Sequence, residues 1–422
     1  MLLIEQLLTK SQSTPVTGGK FLWAWGQNTY GQVGTTINSD ILSWTVISTG
    51  DGGTSTHTAA IRSDGLLFTW GYNISGQLGD GTSVTKSSPV QIGSSSWTAV
   101  SAGGSHTAAI RSGGTLFTWG RNLEGQLGDG TLVNKSSPVQ IGSSSWTAVA
   151  ADSIHSAGIL SGGTLFTWGS SSYGQLGDGT NVGKSSPVQI GSSSWTAVSV
   201  GINMTSAIRS GGTLFTWGQG TGGRLGDGST ISKSSPVQIG SSSWTAVGGG
   251  FSHAAAIRSD GLLFTWGFGF TGQLGDGTTA SKSSPVTVGN NSPPNAISPV
   301  QIGSSSWTAV SAGRYHTAAL RSGSTLFTWG QNSYGQLGDG SPQFTVRSSP
   351  VQIGSSSWTA VSAGGTHTAA IRSDGYLFTW GRNQYGQLGD GTLIAKSSPV
   401  QIGSSSWTVV SAGGTHTDVI SK

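Results

Sequence analysis

Apolar and polar positions alternate in short bursts along most of this chain, and the bursts recur. One period, from Ser87 to Thr131, reads SSPVQIGSSSWTAVSAGGSHTAAIRSGGTLFTWGRNLEGQLGDGT. Within it, residues 115–119 set Leu116 and Thr118 on one side and Phe117 and Trp119 on the other, the two-residue alternation of an extended strand. Both sides carry bulk, so a sheet of such strands needs a neighbour on each face. Four short strands are predicted per period: around Pro-Val-Gln-Ile (89–92), then Trp97–Ser101, His106–Arg111 and Thr115–Trp119. Gly-Ser-Ser-Ser, Ala-Gly-Gly-Ser, Ser-Gly-Gly and a longer Gly-Gln-Leu-Gly-Asp-Gly loop separate them, an all-β signature.

The period is regular. Trp-Gly closes it at Trp70, Trp119, Trp168, Trp217 and Trp266, every 49 residues, then at Trp329 and Trp380 after 63 and 51, with Trp25 as an outlying first copy. A second tryptophan keeps step at Trp44, Trp97, Trp146, Trp195, Trp244, Trp307, Trp358 and Trp407. A fixed period of this length marks an array whose units bury their faces against one another. Four-stranded units repeated radially make a β-propeller, here with about 49 residues per blade. Seven copies are complete internally. The C-terminal WTVVSAGGTHTDVIS (407–421) lacks a Leu-Phe-Thr-Trp-Gly strand, and the N-terminal FLWAWG (21–26) supplies one. Pairing the two ends makes an eighth copy and closes the ring with no open edge. The expected division is an N-terminal arm and linker, residues 1–20, followed by one propeller domain, residues 21–422.

In the arm, Leu3, Ile4, Leu7 and Leu8 form a helical stripe about two turns long, ahead of the linker SQSTPVTGGK. A helix this short needs a surface to order it, either the propeller's own or a partner's; terminal disorder is the third reading. Such a stripe on a partner would be a docking arm. The one large insertion, at Thr287–Ser298, contains Pro293–Pro294 and is expected to protrude as an extended loop left by a duplication slip.

Composition narrows the chemistry. Gly is 70 of 422 residues, which alone would suit a flexible chain, but 17 Trp and 12 Phe at fixed spacing exclude that. Charged residues are 9% and the net charge is +4, too weak a field for specific nucleic-acid binding. Cysteine is absent, which removes disulfides and thiolate chemistry. No apolar run reaches the roughly 18 residues of a membrane span. The start, MLLIEQLLTK, lacks the basic stretch of a signal peptide.

Candidate reactive groups each have a structural role to fill. His57, His106, His155, His253, His316, His367 and His416 recur once per copy, with Met204 in the remaining place. One per blade cannot converge on a metal, so inter-blade hydrogen bonds are expected instead. Asp80, Asp129, Asp178, Asp227, Asp276, Asp339 and Asp390 sit in Gly-Asp-Gly (Gly-Asp-Gly-Ser or -Thr), where turn chemistry accounts for them. No nucleophile elbow and no Glu pair is present. No enzyme activity, cofactor or metal is expected. Lys86, Lys135, Lys184, Lys233, Lys282, Arg347 and Lys396 form one cationic ring, and Arg62, Arg111, Arg209, Arg258, Arg321 and Arg372 another. Either ring would suit phosphate or an acidic polymer, though solvated faces explain repeated charges more often.

The run His-Thr-Ala-Ala-Ile, Leu-Phe-Thr-Trp-Gly-Arg-Asn, Gly-Gln-Leu-Gly-Asp-Gly resembles the repeat of the regulator of chromosome condensation (RCC1-like) family, over residues 21–421. The resemblance implies a propeller, usually of seven blades, where copy counting here gives eight. It also implies unlike functions: a Ran exchange factor that binds chromatin, a plant ultraviolet-B photoreceptor, bacterial β-lactamase inhibitory proteins and propellers within ubiquitin ligases. The photoreceptor's tryptophans precede the His-Thr pair, where this chain has Ser105, Tyr315 and Thr366. The exchange factor's acidic surface and basic tail have no counterpart here. Fold analogy therefore does not name the function. The near-identity of the copies looks like recently duplicated bacterial or viral sequence.

The copies differ most at one set of turns. Strand alternation puts the turn before His-Thr and the loop after Trp-Gly on one face, and Gly-Ser-Ser-Ser and Arg-Ser-Gly-Gly on the other. The first set varies, at Tyr72, Arg121, Leu123, Glu124, Tyr173, Phe251, Phe268, Phe270, Arg314, Tyr315, Phe344, Arg382 and Tyr385. Tyr, Phe and Arg are interface anchors, and neutral drift at exposed tips is the competing explanation. The expected function is a non-catalytic protein-binding or structural module, such as a virion or cell-surface component. Its expected partner is another protein, including other subunits of an assembly, or a surface glycan or receptor. A soluble regulator of the exchange-factor or inhibitor type is the alternative.

Overall fold

The structure, a computed structural model, describes residues 22–27, 44–50, 56–249, 252–287 and 306–421. The arm with Leu3, Ile4, Leu7 and Leu8, the insertion beyond Thr287, and Phe251 lie outside them.

Each period folds as an antiparallel sheet, but the blade is offset by one strand from the grouping expected. One blade runs Trp97–Ala102, His106–Arg111, Leu116–Gly120 and Lys135–Gln140. Thr107 pairs with Trp119, and Thr118 with Val139. Pro-Val-Gln is therefore the fourth strand of the blade before it, not the first of its own. The long loop brings it back alongside Leu-Phe-Thr-Trp-Gly, and Gly-Ser-Ser-Ser is the link to the next blade rather than a hairpin turn. At two places even that link is extended, so Lys233–Gly249 and Thr345–Ala363 each serve two blades.

Three four-stranded sheets, two seven-stranded sheets that each hold two blades, and one three-stranded sheet give eight blades among the described residues. They are numbered 1 to 8 from the first strands, which begin at Trp44, Trp97, Trp146, Trp195, Trp244, Trp307, Trp358 and Trp407. Blade 8 is the three-stranded sheet, in which the chain ends pair: Leu22 with Ile420 through to Gly26 with His416.

Among the described residues there is no single core. The buried side chains form eight clusters, one at each seam between neighbouring blades. At the first seam Ala59, Ile61 and Leu67 of blade 1 meet Trp97, Ala109, Phe117 and Trp119 of blade 2. At the last, Ile420 of blade 8 meets Trp44, Ala60 and Trp70 of blade 1. Bulk on one blade faces alanine and leucine on the next, which lets flat sheets pack without voids. Trp97 also meets Phe117 and Trp119 edge-on, at 5.6 and 6.0 Å between centroids.

A backbone clamp holds the third-strand tryptophan of blades 2 to 7. Trp119 Nε1 donates to the Gln77 carbonyl of the preceding blade at 2.9 Å. Gly79, at φ +77°, lies so close that a Cβ there would sit 2.6 Å from Nε1. The same contact recurs around the ring and ends with Gly389 against Trp25, so the C-terminal copy clamps the N-terminal strand.

Gly128 and Gly142 separate this packing from backbone strain. Both have positive φ, but a Cβ at Gly128 would meet the Trp168 ring at 2.8 Å, and one at Gly142 would meet nothing within 4 Å. Gly142→Ala is expected to cost about 1–2 kcal/mol by chemical denaturation. Gly128→Ala should cost at least about 2 kcal/mol more, and equal losses would contradict the clamp.

Candidate protein-binding face

The recurrent histidines are fully buried. His57 Nε2 lies 2.7 Å from Thr107 Oγ1 of the next blade, and Thr107 Oγ1 donates to the Gln77 carbonyl at 2.8 Å. Since the hydroxyl proton is spent on that carbonyl, the hydroxyl accepts from an Nε2–H imidazole. The chain of bonds repeats at His106–Ser156, His155–Thr205, His253–Thr317, His316–Thr368 and His367–Thr417, between 2.8 and 3.0 Å. Each is the inter-blade hydrogen bond expected. At the closing seam, His416 instead meets Thr56 at 3.3 Å and Thr58 at 3.2 Å, and Thr58 donates to the buried Asp418 carboxylate at 3.0 Å.

One seam lacks the latch on both sides. Met204 replaces the histidine of blade 4, and Ala254 replaces its hydroxyl partner on blade 5; both join an apolar cluster with Trp266. A lone histidine there would bury an imidazole N–H with no hydroxyl to accept it, which explains why the two changes occur together.

The cationic rings are already engaged. Lys86 is 3.3 Å from Asp80, and the same pairing recurs at Lys135–Asp129, Lys184–Asp178, Lys233–Asp227, Lys282–Asp276, Arg347–Asp339 and Lys396–Asp390. These aspartates also shape the turn, as expected: Thr82 N donates to Asp80 Oδ1 at 3.0 Å. In the second ring Arg62, Arg258 and Arg372 pair with Asp64, Asp260 and Asp374. Arg111 and Arg209, whose copies have glycine in place of that aspartate, lie over Phe117 and Phe215 at 3.9 and 4.0 Å. The sequence did not reveal these partners because the loop that brings Lys beside Asp is folded back by Gly turns.

The varied residues that are described lie at one face, on the turns and loops expected. Around Arg224, Phe268 stacks at 4.9 Å from the guanidinium, and Phe270 meets Phe268 at 5.5 Å. Burial lowers the Arg224 pKa, and the phenols of Tyr173 and Tyr315 are near enough to oppose the shift. Arg314 lies over Tyr315 at 5.5 Å. Thus Tyr173, Phe268, Phe270, Arg314 and Tyr315 gather from blades 3 to 6. A second group joins Arg382 to Tyr334 and Tyr385, at 4.8 and 5.6 Å. Tyr72 and Arg121 are half-buried on blades 1 and 2, and Phe344 is exposed on blade 6.

Sequence reasoning missed two features of this face. Arg224 was legible as the one copy that turns Gly-Gln-Leu-Gly into Gly-Arg-Leu-Gly. The other is an aliphatic rim: Val84, Val133, Val182, Ile231 and Ile394, each two residues before the loop lysine, are 60–67% exposed. Every exposed large hydrophobic among the described residues belongs to these third-to-fourth-strand loops or their edges.

On the same face, the first-to-second-strand turns of the blades ring an axial cavity of about 200 Å³. Its walls are mostly glycine and alanine, with Asp152 and Arg314 as its charged residues. Among the described residues no group of three His, Cys, Asp or Glu could hold a metal, and no helix is long and apolar enough to cross a membrane.

Eight seams of Trp, His and small residues under one loop face define a repeat-built β-propeller. Residues 50–305 match the RCC1-like domain, and residues 324–371 and 374–420 match the regulator of chromosome condensation (RCC1) repeat. The chain belongs to this family. It is similar to the probable E3 ubiquitin-protein ligase HERC4 of Rattus norvegicus, 45% identical over 83 residues, 19% of this chain and 8% of that protein. It is also similar to the X-linked retinitis pigmentosa GTPase regulator homolog of Caenorhabditis elegans, 39% identical over 84 residues, 19% of this chain and 6% of that protein. The matched stretch thus spans less than a tenth of either relative. Among solved structures, human WBSCR16 shares the fold with a TM-score of 0.65 at 18% identity, covering 96% of this chain and 99% of that one. Prp20p of Saccharomyces cerevisiae does so with a TM-score of 0.64 at 20% identity, covering 84% and 90%.

Two expectations follow from the latches. Burial first, and neighbouring imidazoles second, lower His57, His106, His316 and His367 to about 3, and burial lowers His155 and His253 to about 4. The unfolded chain therefore takes up protons that the folded chain refuses. The stability of these groups is complete above pH 6.5 and falls as pH drops toward 4, with a slope of up to about 1.4 kcal/mol per pH unit for each histidine. Asp80, Asp129, Asp339 and Asp390 are also held below their usual value: burial opposes ionisation, but bonds from the turn hydroxyl and the Lys or Arg outweigh it. Their contribution is lost only below about pH 4. Urea midpoints measured between pH 7 and 5 should fall steeply, and a flat profile would contradict neutral buried histidines. Second, Met204→His and Ala254→Thr should each destabilise the fold or leave it unchanged. The double variant should exceed the sum of the two by about 0.5–3 kcal/mol in a double-mutant cycle, whereas additivity would contradict the coupling.

Proposed function

We propose that the protein is a non-catalytic binding module that holds a protein partner on its loop face and is tethered from the opposite face by residues 1–20. One observation carries the reading: among the described residues, the exposed large apolar side chains collect on the face opposite to where the N-terminal strand begins. Leu22–Gly26 is a third strand whose Gly26 pairs with His416 at the loop face, so Leu22 lies at the far end. Lys282–Thr287 is a fourth strand running away from the loop face, so Thr287 lies at the same end as Leu22. An arm with an apolar stripe on one side and aromatic anchors on the other suits a subunit of a larger assembly, such as a virus particle or a cell surface.

A second reading, a soluble regulator, is favoured by family membership and by Prp20p, whose structure was described together with its binding to Gsp1p and histones. Saturable, stoichiometric binding of the isolated protein to a small GTPase or a secreted enzyme would support that reading instead.

The chain without residues 2–20 is expected to melt at the same temperature as the full chain and to fail to join its natural assembly. Incorporation equal to that of the full chain, measured by co-sedimentation, would contradict the tether.

A further inference from the structure

Several departures from the common period fall on blades 3 to 6, although the stretch before His57 is longer than in other copies and the copy after Trp25 is the most altered. Asn73, Asn122, Asn332 and Asn383 brace the long loops of blades 1, 2, 6 and 7, each accepting from the Leu backbone N–H five residues on. Blades 3, 4 and 5 carry Ser171, Gly220 and Gly269 there. The Ala-Gly-Gly turn of blades 2, 7 and 8 becomes Asp152-Ser153 in blade 3, Ile202-Asn203 in blade 4 and Arg314-Tyr315 in blade 6. The missing latch, Met204 with Ala254, falls at the middle of the same sector, and so does Arg224.

Arg224 is the centre of that sector. Its Nη1 donates to the neutral Gln219 amide at 2.9 Å, and its buried Nε has no hydrogen-bond partner. The nearby loop carboxylates Asp178, Asp227 and Asp276 are already paired with Lys184, Lys233 and Lys282. Phe268 covers one face of the guanidinium, and Phe270 beside it is 68% exposed. A guanidinium stacked on a ring keeps its in-plane N–H groups for a planar oxyanion.

We infer, on the reading that the loop face is the binding face, that the partner is a protein seated over blades 3 to 6 which delivers a carboxylate to Arg224 from within an apolar surface. The apolar part of that surface meets Phe270 and Tyr173. A sulfated or sialylated glycan would supply charge without matching the exposed aromatic and aliphatic side chains, so a protein carboxylate is the better complement.

The test selects phage-displayed random dodecapeptides on the full chain and measures the synthetic peptides by fluorescence anisotropy. Arg224→Gln is a safe variant, because Gln occupies this place in the seven other copies, for example Gln77 and Gln126. Selected peptides should carry Asp or Glu beside Leu, Ile or Phe. Their affinity should fall at least about tenfold in Arg224→Gln and in Phe270→Ser, and less than about twofold in Leu132→Ser and Ile394→Ser, on blades 2 and 7. Changing the peptide's acid to its amide should cost the same factor in the wild type and nothing further in Arg224→Gln. Peptides without acidic enrichment, an empty selection, or Arg224-dependent binding of a heparin fragment that no peptide displaces would each overturn the inference. Peptides sensitive to Leu132 and Ile394 but not to Arg224 would overturn it while leaving the loop face as the binding face. Sensitivity confined to Arg111 and Arg209, on the far side, would overturn both.

Discussion

The clamp between one blade's long loop and the next blade's tryptophan is the contact on which the rest depends. Each blade is a small sheet with bulk on both faces and no core of its own, so it is stable only when both faces are covered. The loop that crosses the seam does three things at once. Its Gln carbonyl accepts from the next blade's Trp119-type indole and from the Thr hydroxyl that receives the histidine. Its glycines let the backbone reach the indole face. Its aspartate holds the lysine that opens the fourth strand. Because the donor and acceptor sit on different blades, the ring closes only if the last blade finds the first, and Ile420 against Trp44 and Trp70, with Thr58 bonded to His416 and Asp418, satisfies that condition.

The same loops that make the seams also make the surface. Their glycine-rich bases are fixed by packing, while their tips project on one face, where Val84, Ile231, Phe270 and Ile394 are free to vary without disturbing a seam. Structure and recognition are thus separated along a single loop. The second face is built from Gly-Ser-Ser-Ser links and Arg-Ser-Gly turns whose arginines are paired or stacked within their own blade. That difference between faces, rather than any reactive group, is what gives the molecule a direction.

Much of this was legible in the sequence because the repeat supplies many readings of the same pattern. Alternation in Leu-Phe-Thr-Trp assigned both faces of the third strand, and one histidine per copy pointed to a latch. Strand grouping was not legible: Pro-Val-Gln-Ile sits nearer in sequence to the tryptophan that follows, but it pairs with the strand before it, across a long loop. Lysine and aspartate could not be matched for the same reason. The gathering of Tyr173, Phe268, Phe270 and Tyr315 around Arg224 was hidden because four separate blades contribute to it.

The most direct test of a tethered face and a presented face is electron cryomicroscopy of the protein in its natural assembly. The account predicts residues 1–20 in contact with a neighbouring subunit and the Phe270 side of the ring turned away from it. A ring seated on its neighbour through Phe270, Tyr173 and Arg224, with the Arg111 side facing outward, would contradict it.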